Sequence, residues 1–262
     1  MIEPTVKTDK YELYLGDCLD VMQALEPSSV DMVVTSPPYN VGVDYNDQGW
    51  EQDHHPIEEY RQWIDRVNMN LRDILKIGGR YCIELGGGGR DFPIAYYWQD
   101  SAYKLGFGLY SEIVIPHRKT NPTAWGSYLR ADNVFTIPNF HYLFVLYKYD
   151  RSKFNGNTTI TKEEFVEWTR GVWSINYSVG KIPEHPATFP VELPKRCVRL
   201  FGHENDVIID PFMGTGTTAL ACIHNNRKFI GIEKEPKYFE LAEKRIRYAA
   251  LQMAFPAESM KA

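Results

Sequence analysis

The sequence predicts an α/β fold, a parallel-dominated sheet with helices on both faces. Three observations carry that prediction. Short β-branched apolar runs alternate along the chain with stretches of helical period. One such run, VIID, passes through a glycine-rich turn, DPFMGTGTTA, straight into a helix-like stretch. The 262 residues, 44% hydrophobic and 24% charged, are enough to bury one large core.

The elements follow in order. YELYLG (11–16) reads as a short strand and DCLDVMQAL (17–25) as a short helix. SVDMVVTS (29–36) is a strand closed by Pro37 and Pro38, which have no N–H to donate to a ladder. In 56–79, Ile57, Tyr60, Ile64, Val67, Leu71 and Leu75 recur every three or four residues, which predicts an amphipathic helix stopped by Gly78 and Gly79. RYCIEL (80–85) is a strand ending in four glycines, and 92–106 a helix stopped by Gly106. LYSEIVIP (109–116) and FHYLFVLYKY (140–149) are strands, and PVELPKRCVRLFG (190–202) is a helix. Residues 206–226 form the strand–turn–helix, KFIGIE (228–233) a strand, and 236–250 the closing helix. The pattern breaks in 117–139 and 150–184, which are rich in Asn, Thr, Gly, Pro and aromatics. Long loops in compact domains are usually functional.

The formal net charge is −5, yet bases cluster locally. Arg118, Lys119 and Arg130 lie in a stretch without acids; Lys148, Arg151 and Lys153 form a second cluster, and Lys195, Arg196 and Arg199 a third. A basic face on an acidic chain is compatible with nucleic acid. No apolar run approaches the roughly 18 residues of a membrane span, and the N-terminus lacks an apolar signal core. Cys18, Cys82, Cys197 and Cys222 are scattered without metal spacing, and His54–His55 has no partner set, so no metal is expected. Reduced thiols and a cytoplasmic location follow as expectations.

Two motifs carry chemistry. In the glycine turn, Gly214 and Gly216 let backbone approach a ligand, the following helix start offers free N–H groups, and Glu233 tips the next strand, placed for ribose hydroxyls. Strand, turn, helix, strand and acid together point to a nucleotide-containing cofactor. The spacing Gly214-x-Gly216-x-x-Ala219 fits NAD as well as S-adenosylmethionine. The second motif is TSPPYN (35–40), at a strand's C-terminal edge. Ser36 and the proline carbonyls offer acceptors beside the flat ring of Tyr39. Two acceptors near one aromatic face suit an exocyclic amine on a planar base. Held out of the ring plane, that amine is drawn towards tetrahedral geometry and its lone pair becomes nucleophilic.

TSPPYN and DPFMGTGTT together resemble the amino-group DNA methyltransferases, which methylate N4 of cytosine or N6 of adenine using S-adenosylmethionine. The catalytic motif precedes the cofactor motif, as in the permuted β subgroup. LGDCLDVM, HPATFPVELPKRCV, SEIVIPHRKTNPT and HYLFVLYK resemble further family segments, leaving only about 120–138 and 150–170 outside the likeness. The resemblance implies a Rossmann-like class I methyltransferase: one circularly permuted domain over 1–262, a mixed, mostly parallel seven-stranded sheet, and target-recognition insertions at about 117–139 and 150–182.

It also implies residue roles. Ser36, Pro37, Pro38 and Tyr39 are the catalytic candidates, with Ser36 and Pro37 also facing the cofactor. Asp17 is expected near the cofactor adenine, with a helix N-cap as its plain alternative. Thr188 and Phe189 are expected to set a helix N-terminus against the methionine carboxylate, and Phe212 to lie beside the cofactor. Asp210, Gly214, Gly216 and Thr217 complete the turn, Asp210 tuning it or touching the ligand. His185 and Trp173 read as structural, and Asn40 shapes the turn or meets the base. Arg118, Lys119 and Arg130 are the DNA-contact candidates. Ser at the first catalytic position leans towards N4-cytosine in the family, with N6-adenine the alternative. The partners implied are double-stranded DNA, a second copy of the chain sharing recognition, and a companion restriction endonuclease; the product is S-adenosylhomocysteine. The target base has to be flipped out of the duplex. A nicotinamide oxidoreductase leaves TSPPYN without a task, and a non-catalytic DNA-binding subunit leaves the intact motif unexplained. RNA or protein glutamine are the other substrates that could meet such a tip.

Overall fold

A computed structural model describes residues 2–43, 53–86, 93–116, 130–133, 139–152, 156–177 and 188–254. The strands are β1 (Val6–Lys7), β2 (Tyr11–Leu15), β3 (Val30–Thr35), β4 (Leu75–Gly86), β5 (Phe107–Pro116), β6 (Phe140–Lys148), β7 (Val207–Asp210) and β8 (Lys228–Glu233). The helices are α1 (Cys18–Ala24), α2 (Ile57–Ile74), α3 (Ile94–Lys104), α4 (Lys162–Trp168), α5 (Glu192–Leu200), α6 (Thr217–His224) and α7 (Pro236–Ala254).

One eight-stranded sheet runs β1-β2-β8-β7-β3-β4-β6-β5. Its centre, β2-β8-β7-β3-β4, is parallel; β6 runs antiparallel between β4 and β5. The eighth strand is the two-residue β1, antiparallel on β2. Two residues are too few for a sequence period to show. β7 and β8, last in the chain, lie in the middle of the sheet, the placement that a permuted connection requires.

The core forms in two layers. Under one face α1, α2 and α3 bury Val21, Ile64, Leu71 and Trp98 against Val33, Tyr81 and Ile209. Under the other, α5, α6 and α7 bury Cys197, Ala219 and Ile246 against Met32, Val34 and Ile208. All four cysteines are buried free thiols. In α2 the buried Tyr60, Ile64, Val67, Leu71 and Ile74 keep the helical spacing. Burying a side chain such as Leu71 contributes roughly 1.5–3 kcal/mol. Truncating it to alanine costs about 2–5 kcal/mol, because a cavity is left.

The end of α2 departs from expectation. The helix closes at Ile74, and Leu75 already takes extended geometry in β4, its side chain fully buried. Gly78 and Gly79 therefore do not stop the helix but lie inside the strand. Gly78 has φ +74°, and a Cβ there would collide with the Ser152 carbonyl, so close backbone approach fixes the glycine. α4, within a stretch read as irregular, is nucleated by a capping box between Thr161 and Glu164. No helix among the described residues is long and apolar enough to cross a membrane.

The connection after β3 leads to α2 on one face, whereas β7 leads through its turn to α6 on the other. Between the tips of β3 and β7 the sheet has its topological switch point, where open α/β sheets hold ligands.

Candidate active site

The two motifs meet at that crevice. Thr35, the last residue of β3, donates its hydroxyl to Asp210 Oδ1 at 2.7 Å, and Thr218 at the start of α6 donates to Asp210 Oδ2 at 2.6 Å. The Phe212 N–H also reaches Oδ1, at 3.1 Å. One carboxylate, 1% exposed, thus ties the strand before TSPPYN to the glycine turn. Burial pushes its pKa up to about 6, against the opposing hydrogen bonds of Thr218, Thr35 and Phe212. Asp210 spends its oxygens on the protein, which places it as the organiser of the turn.

The turn has the open backbone that a ligand cradle needs. Gly214 and Gly216 take left-handed φ of +53° and +81°, and a Cβ on Gly216 would press on Ile246 at 3.1 Å. Thr217, the first residue of α6, is buried beneath the turn. Glu233 at the tip of β8 accepts the N–H of Gly214 and of Glu235, each at 2.8 Å. Burial pushes the Glu233 carboxyl up to about 7, with those backbone bonds opposing. Thr215 Oγ1, buried in the middle of the turn, has no partner among the described residues. An orphaned hydroxyl beside an acid-tipped strand fits a ligand that carries hydroxyls and an amino-acid tail. The ring of Phe212 is half-buried against Trp63 of α2, centroids 5.5 Å apart.

Asp17 is the N-cap of α1, its Oδ1 accepting the Leu19 N–H at 2.8 Å. Both roles expected for it remain compatible, since a carboxylate has acceptor sites to spare. Thr188 and Phe189 are half-buried just before α5, with Phe189 against the second core layer. His185 lies outside the described residues. Trp173 is fully buried and donates Nε1–H to the Trp168 carbonyl at 2.8 Å, which is packing.

At the proline tip a buried acid appears that the sequence reading did not single out. Glu84, in β4, is 2% exposed. The Tyr39 hydroxyl donates to its Oε2 at 2.8 Å, the Tyr177 hydroxyl to its Oε1 at 3.1 Å, and His141 Nδ1 contacts Oε1. Burial alone would push this carboxyl up; the His141 imidazole, with the hydroxyls of Ser36 and Tyr39, outweighs it and holds the pKa below the ordinary value. Burial, then the charge of Glu84, pushes the Tyr39 phenol well above its usual range. Ser36 Oγ lies 3.1 Å from the Tyr39 hydroxyl. An ionised carboxylate only accepts, so Tyr39 spends its single proton on Glu84. The Ser36 hydroxyl therefore turns its proton into this pair, to Tyr39 or to Glu84, and its lone pairs remain as acceptors.

The backbone of the tip is equally held. Tyr60 of α2 donates to the Pro38 carbonyl at 2.6 Å, while no hydrogen bond among the described residues reaches the Pro37 carbonyl. Asp53, 5% exposed, accepts the N–H groups of Asn40, Val41 and Val43 at 3.0–3.1 Å. Asn40, with φ +57°, exchanges side-chain bonds with the His55 backbone, so it shapes the turn. Gly86 leaves room for the Tyr39 ring; a Cβ there would come within 3.1 Å of it.

Glu84 had one legible signal, a lone carboxylate in the apolar run YCIEL. His141, Tyr177, Tyr60 and Asp53 are joined to the tip only by folding. Of the DNA-contact candidates, Arg118 and Lys119 lie outside the described residues. Arg130 is exposed and pairs with Asp132 at 2.9 Å. No cluster of His, Cys, Asp and Glu suited to a metal occurs among the described residues.

Comparison with known proteins gives the family and the fold. The DNA methylase family model N6_N4_Mtase matches residues 30–244. The type II methyltransferase M.BglI of Bacillus subtilis is 27% identical, over 90% of this chain and 86% of its own length. M.MjaI of Methanocaldococcus jannaschii is 28% identical, over 91% and 92%. Among solved structures, the Thermus thermophilus DNA modification methylase TTHA0409 complexed with S-adenosyl-L-methionine superposes with TM-score 0.69 at 29% identity, covering 92% of this chain and 96% of that one. The cytosine-N4-specific PvuII DNA methyltransferase shares the fold, with TM-score 0.69 at 19% identity over 96% and 95%.

Proposed function

The chain belongs to the N6/N4 DNA methylase family, and from that premise we propose that it transfers a methyl group from S-adenosylmethionine to the exocyclic N4 of a cytosine flipped out of duplex DNA. The observation that carries the proposal is the directed chain Ser36–Tyr39–Glu84, which leaves Ser36 Oγ and the Pro37 carbonyl as paired acceptors beside an aromatic ring. Glu233 would hold the cofactor's ribose, Asp17 its adenine, and Thr188, Phe189, Phe212, Gly214, Gly216 and Thr217 its remainder, with Asp210 fixing the turn. When bound, S-adenosylmethionine supplies an electrophilic methyl on a sulfonium and leaves as neutral S-adenosylhomocysteine.

The protein's part is positioning. Tyr39, its hydroxyl anchored on Glu84, presents its ring to the base. Ser36 Oγ and the Pro37 carbonyl accept the two amine hydrogens, and these bonds strengthen as the nitrogen becomes tetrahedral and gains positive charge. No strong base is needed before transfer. The methylated amine cation is a strong acid, and Ser36 passes its proton through Tyr39 to Glu84 downhill, even to a carboxylate of lowered pKa. Ser36 at the first catalytic position favours N4-cytosine over N6-adenine.

We further propose a single domain over 1–262 with recognition insertions at 117–139 and 150–182. Arg118, Lys119 and Arg130 would supply phosphate or guanine contacts there. A homodimer sharing recognition is proposed as well, and a companion restriction endonuclease, the latter in keeping with the type II names of the relatives. The test is nucleoside analysis of duplex DNA incubated with the protein and labelled S-adenosylmethionine. Label in N4-methylcytosine supports the proposal, label only in N6-methyladenine reassigns the base, and none in DNA overturns the reading.

A further inference from the structure

Three basic clusters mark the sequence, and folding treats them differently. Lys195, Arg196 and Arg199 are neutralised within the protein: Lys195 by Glu192 at 3.2 Å, Arg196 by Glu192 at 3.0 Å and Glu167 at 3.5 Å, Arg199 by Glu164. Arg118, Lys119 and Arg130 belong to the proposed recognition insertion. The cluster around Arg151 stands at the start of the second proposed insertion, 150–182, and contains no residue assigned to the proposed reaction. Lys148 of that cluster is buried and donates to the Leu75 carbonyl. Arg151 is exposed and forms no ion pair with a carboxylate among the described residues.

Arg151 lines a cleft of about 270 Å³ together with Arg80, Tyr110, Ser152, Thr158 and His203. The ring of Tyr110 carries both guanidiniums, Arg80 at 4.2 Å and Arg151 at 5.3 Å from its centroid. Arg80, 4% exposed, donates to the Gly78 and Arg151 carbonyls at 2.6 and 2.8 Å, which holds the Arg151 backbone in place. The lining thus combines two guanidiniums, the hydroxyl-bearing Tyr110, Ser152 and Thr158, and the His203 imidazole with the apolar Leu200 and Phe201, and contains no carboxylate. Two neighbouring acids are engaged by backbone: Asp150 accepts the Ser152 N–H at 2.8 Å, and the buried Asp206 accepts the His203 N–H at 2.7 Å.

The cleft is remote from the reaction. Arg80 pairs with Met32 in β3, and Glu84 lies four residues further along β4, about 13 Å at the rise of a strand. Ser36 is four residues beyond Met32, so the cleft opens at the opposite edge of the sheet. We propose that it is a second ligand site, for a phosphate group. A guanidinium fork with neighbouring hydroxyls matches a tetrahedral oxyanion in shape, charge and hydrogen bonding. The phosphate is either a free anion or a backbone phosphate of DNA wrapping behind the enzyme.

The test uses the full-length protein in wild-type, Arg151→Gln, Thr158→Val and Tyr39→Ala forms. Thermal unfolding is followed with inorganic phosphate against chloride at equal ionic strength, and DNA affinity against salt concentration. A free-anion site predicts a saturable phosphate-dependent rise in Tm in wild type and Tyr39→Ala that is reduced in Thr158→Val and lost in Arg151→Gln. A DNA phosphate predicts that Arg151→Gln lowers the slope of log affinity against log salt by about 1. If phosphate acts no differently on wild type and Arg151→Gln, and the salt slope is unchanged, the site does not exist.

Discussion

Replacing Glu84 by glutamine keeps the shape of the buried acid and removes its charge and half of its accepting capacity. Three donors converge on the carboxylate: Tyr39 at 2.8 Å, Tyr177 at 3.1 Å and His141. Glutamine offers one oxygen and one NH2. If the NH2 faces Tyr39, the phenol must accept from it and turn its own proton towards Ser36, occupying a lone pair meant for the target amine. If the oxygen faces Tyr39, the bond survives as a neutral one, while Tyr177 and His141 meet a donor. A hydrogen bond to a charged group is worth about 1.5–3 kcal/mol net, and about 1.36 kcal/mol is tenfold in rate, so methyl transfer should slow roughly 10- to 150-fold. The loss should fall on kcat, because the Ser36 and Pro37 contacts strengthen only as charge develops on the amine. Single-turnover transfer of labelled methyl groups to DNA measures it, with calorimetric S-adenosylmethionine affinity expected unchanged, since Glu233 and the glycine turn lie in other strands. A folded Glu84→Gln protein with a rate within about threefold of wild type would refute the directed chain.

The remaining predictions concern the cofactor, the turn and DNA. Hydroxyls donating to Glu233 favour its ionised form. Since burial pushes this carboxyl up to about 7, S-adenosylmethionine affinity should rise with pH through that range, and Glu233→Gln should weaken binding and flatten the rise; identical pH slopes in calorimetry would count against the contact. Asp210 has a folded pKa of about 6, above its ordinary 3.8, so the folded state binds the proton more tightly and Asp210 favours folding more as pH falls from above 6 towards 4. Urea unfolding of wild type and Asp210→Asn should therefore diverge across that window; parallel curves would contradict it. Arg118→Ala and Lys119→Ala should each weaken DNA binding and reduce its salt slope by up to about 1, whereas an unchanged affinity and slope in both would remove this segment from the DNA face.

Much of the fold was legible because apolar runs and glycine turns are local signals. The strands from Tyr11 to Glu233 and the helices between them, α4 excepted, lie where their periodicity puts them. The errors have physical causes. Gly78 and Gly79 look like a helix stop in isolation, but their smallness serves the approach of Ser152, far along the chain. β1 is too short to carry a period, and α4 depends on the Thr161–Glu164 box more than on an apolar stripe. At the site, TSPPYN and DPFMGTGTT were visible as contiguous motifs. Their union through Thr35 and Asp210 spans 175 residues and belongs to the fold alone. So does the gathering of Tyr39, His141 and Tyr177 on Glu84, three residues from three separate segments with no shared spacing.

Methylome sequencing of DNA from cells expressing this chain tests the central claim most directly, because it reports the modified base and its sequence context together. N4-methylcytosine is expected at a recurring short sequence, lost when Tyr39 is replaced by alanine. N6-methyladenine alone at such a sequence would contradict the reading of Ser36, and unmodified DNA from cells holding the folded protein would contradict the claim itself.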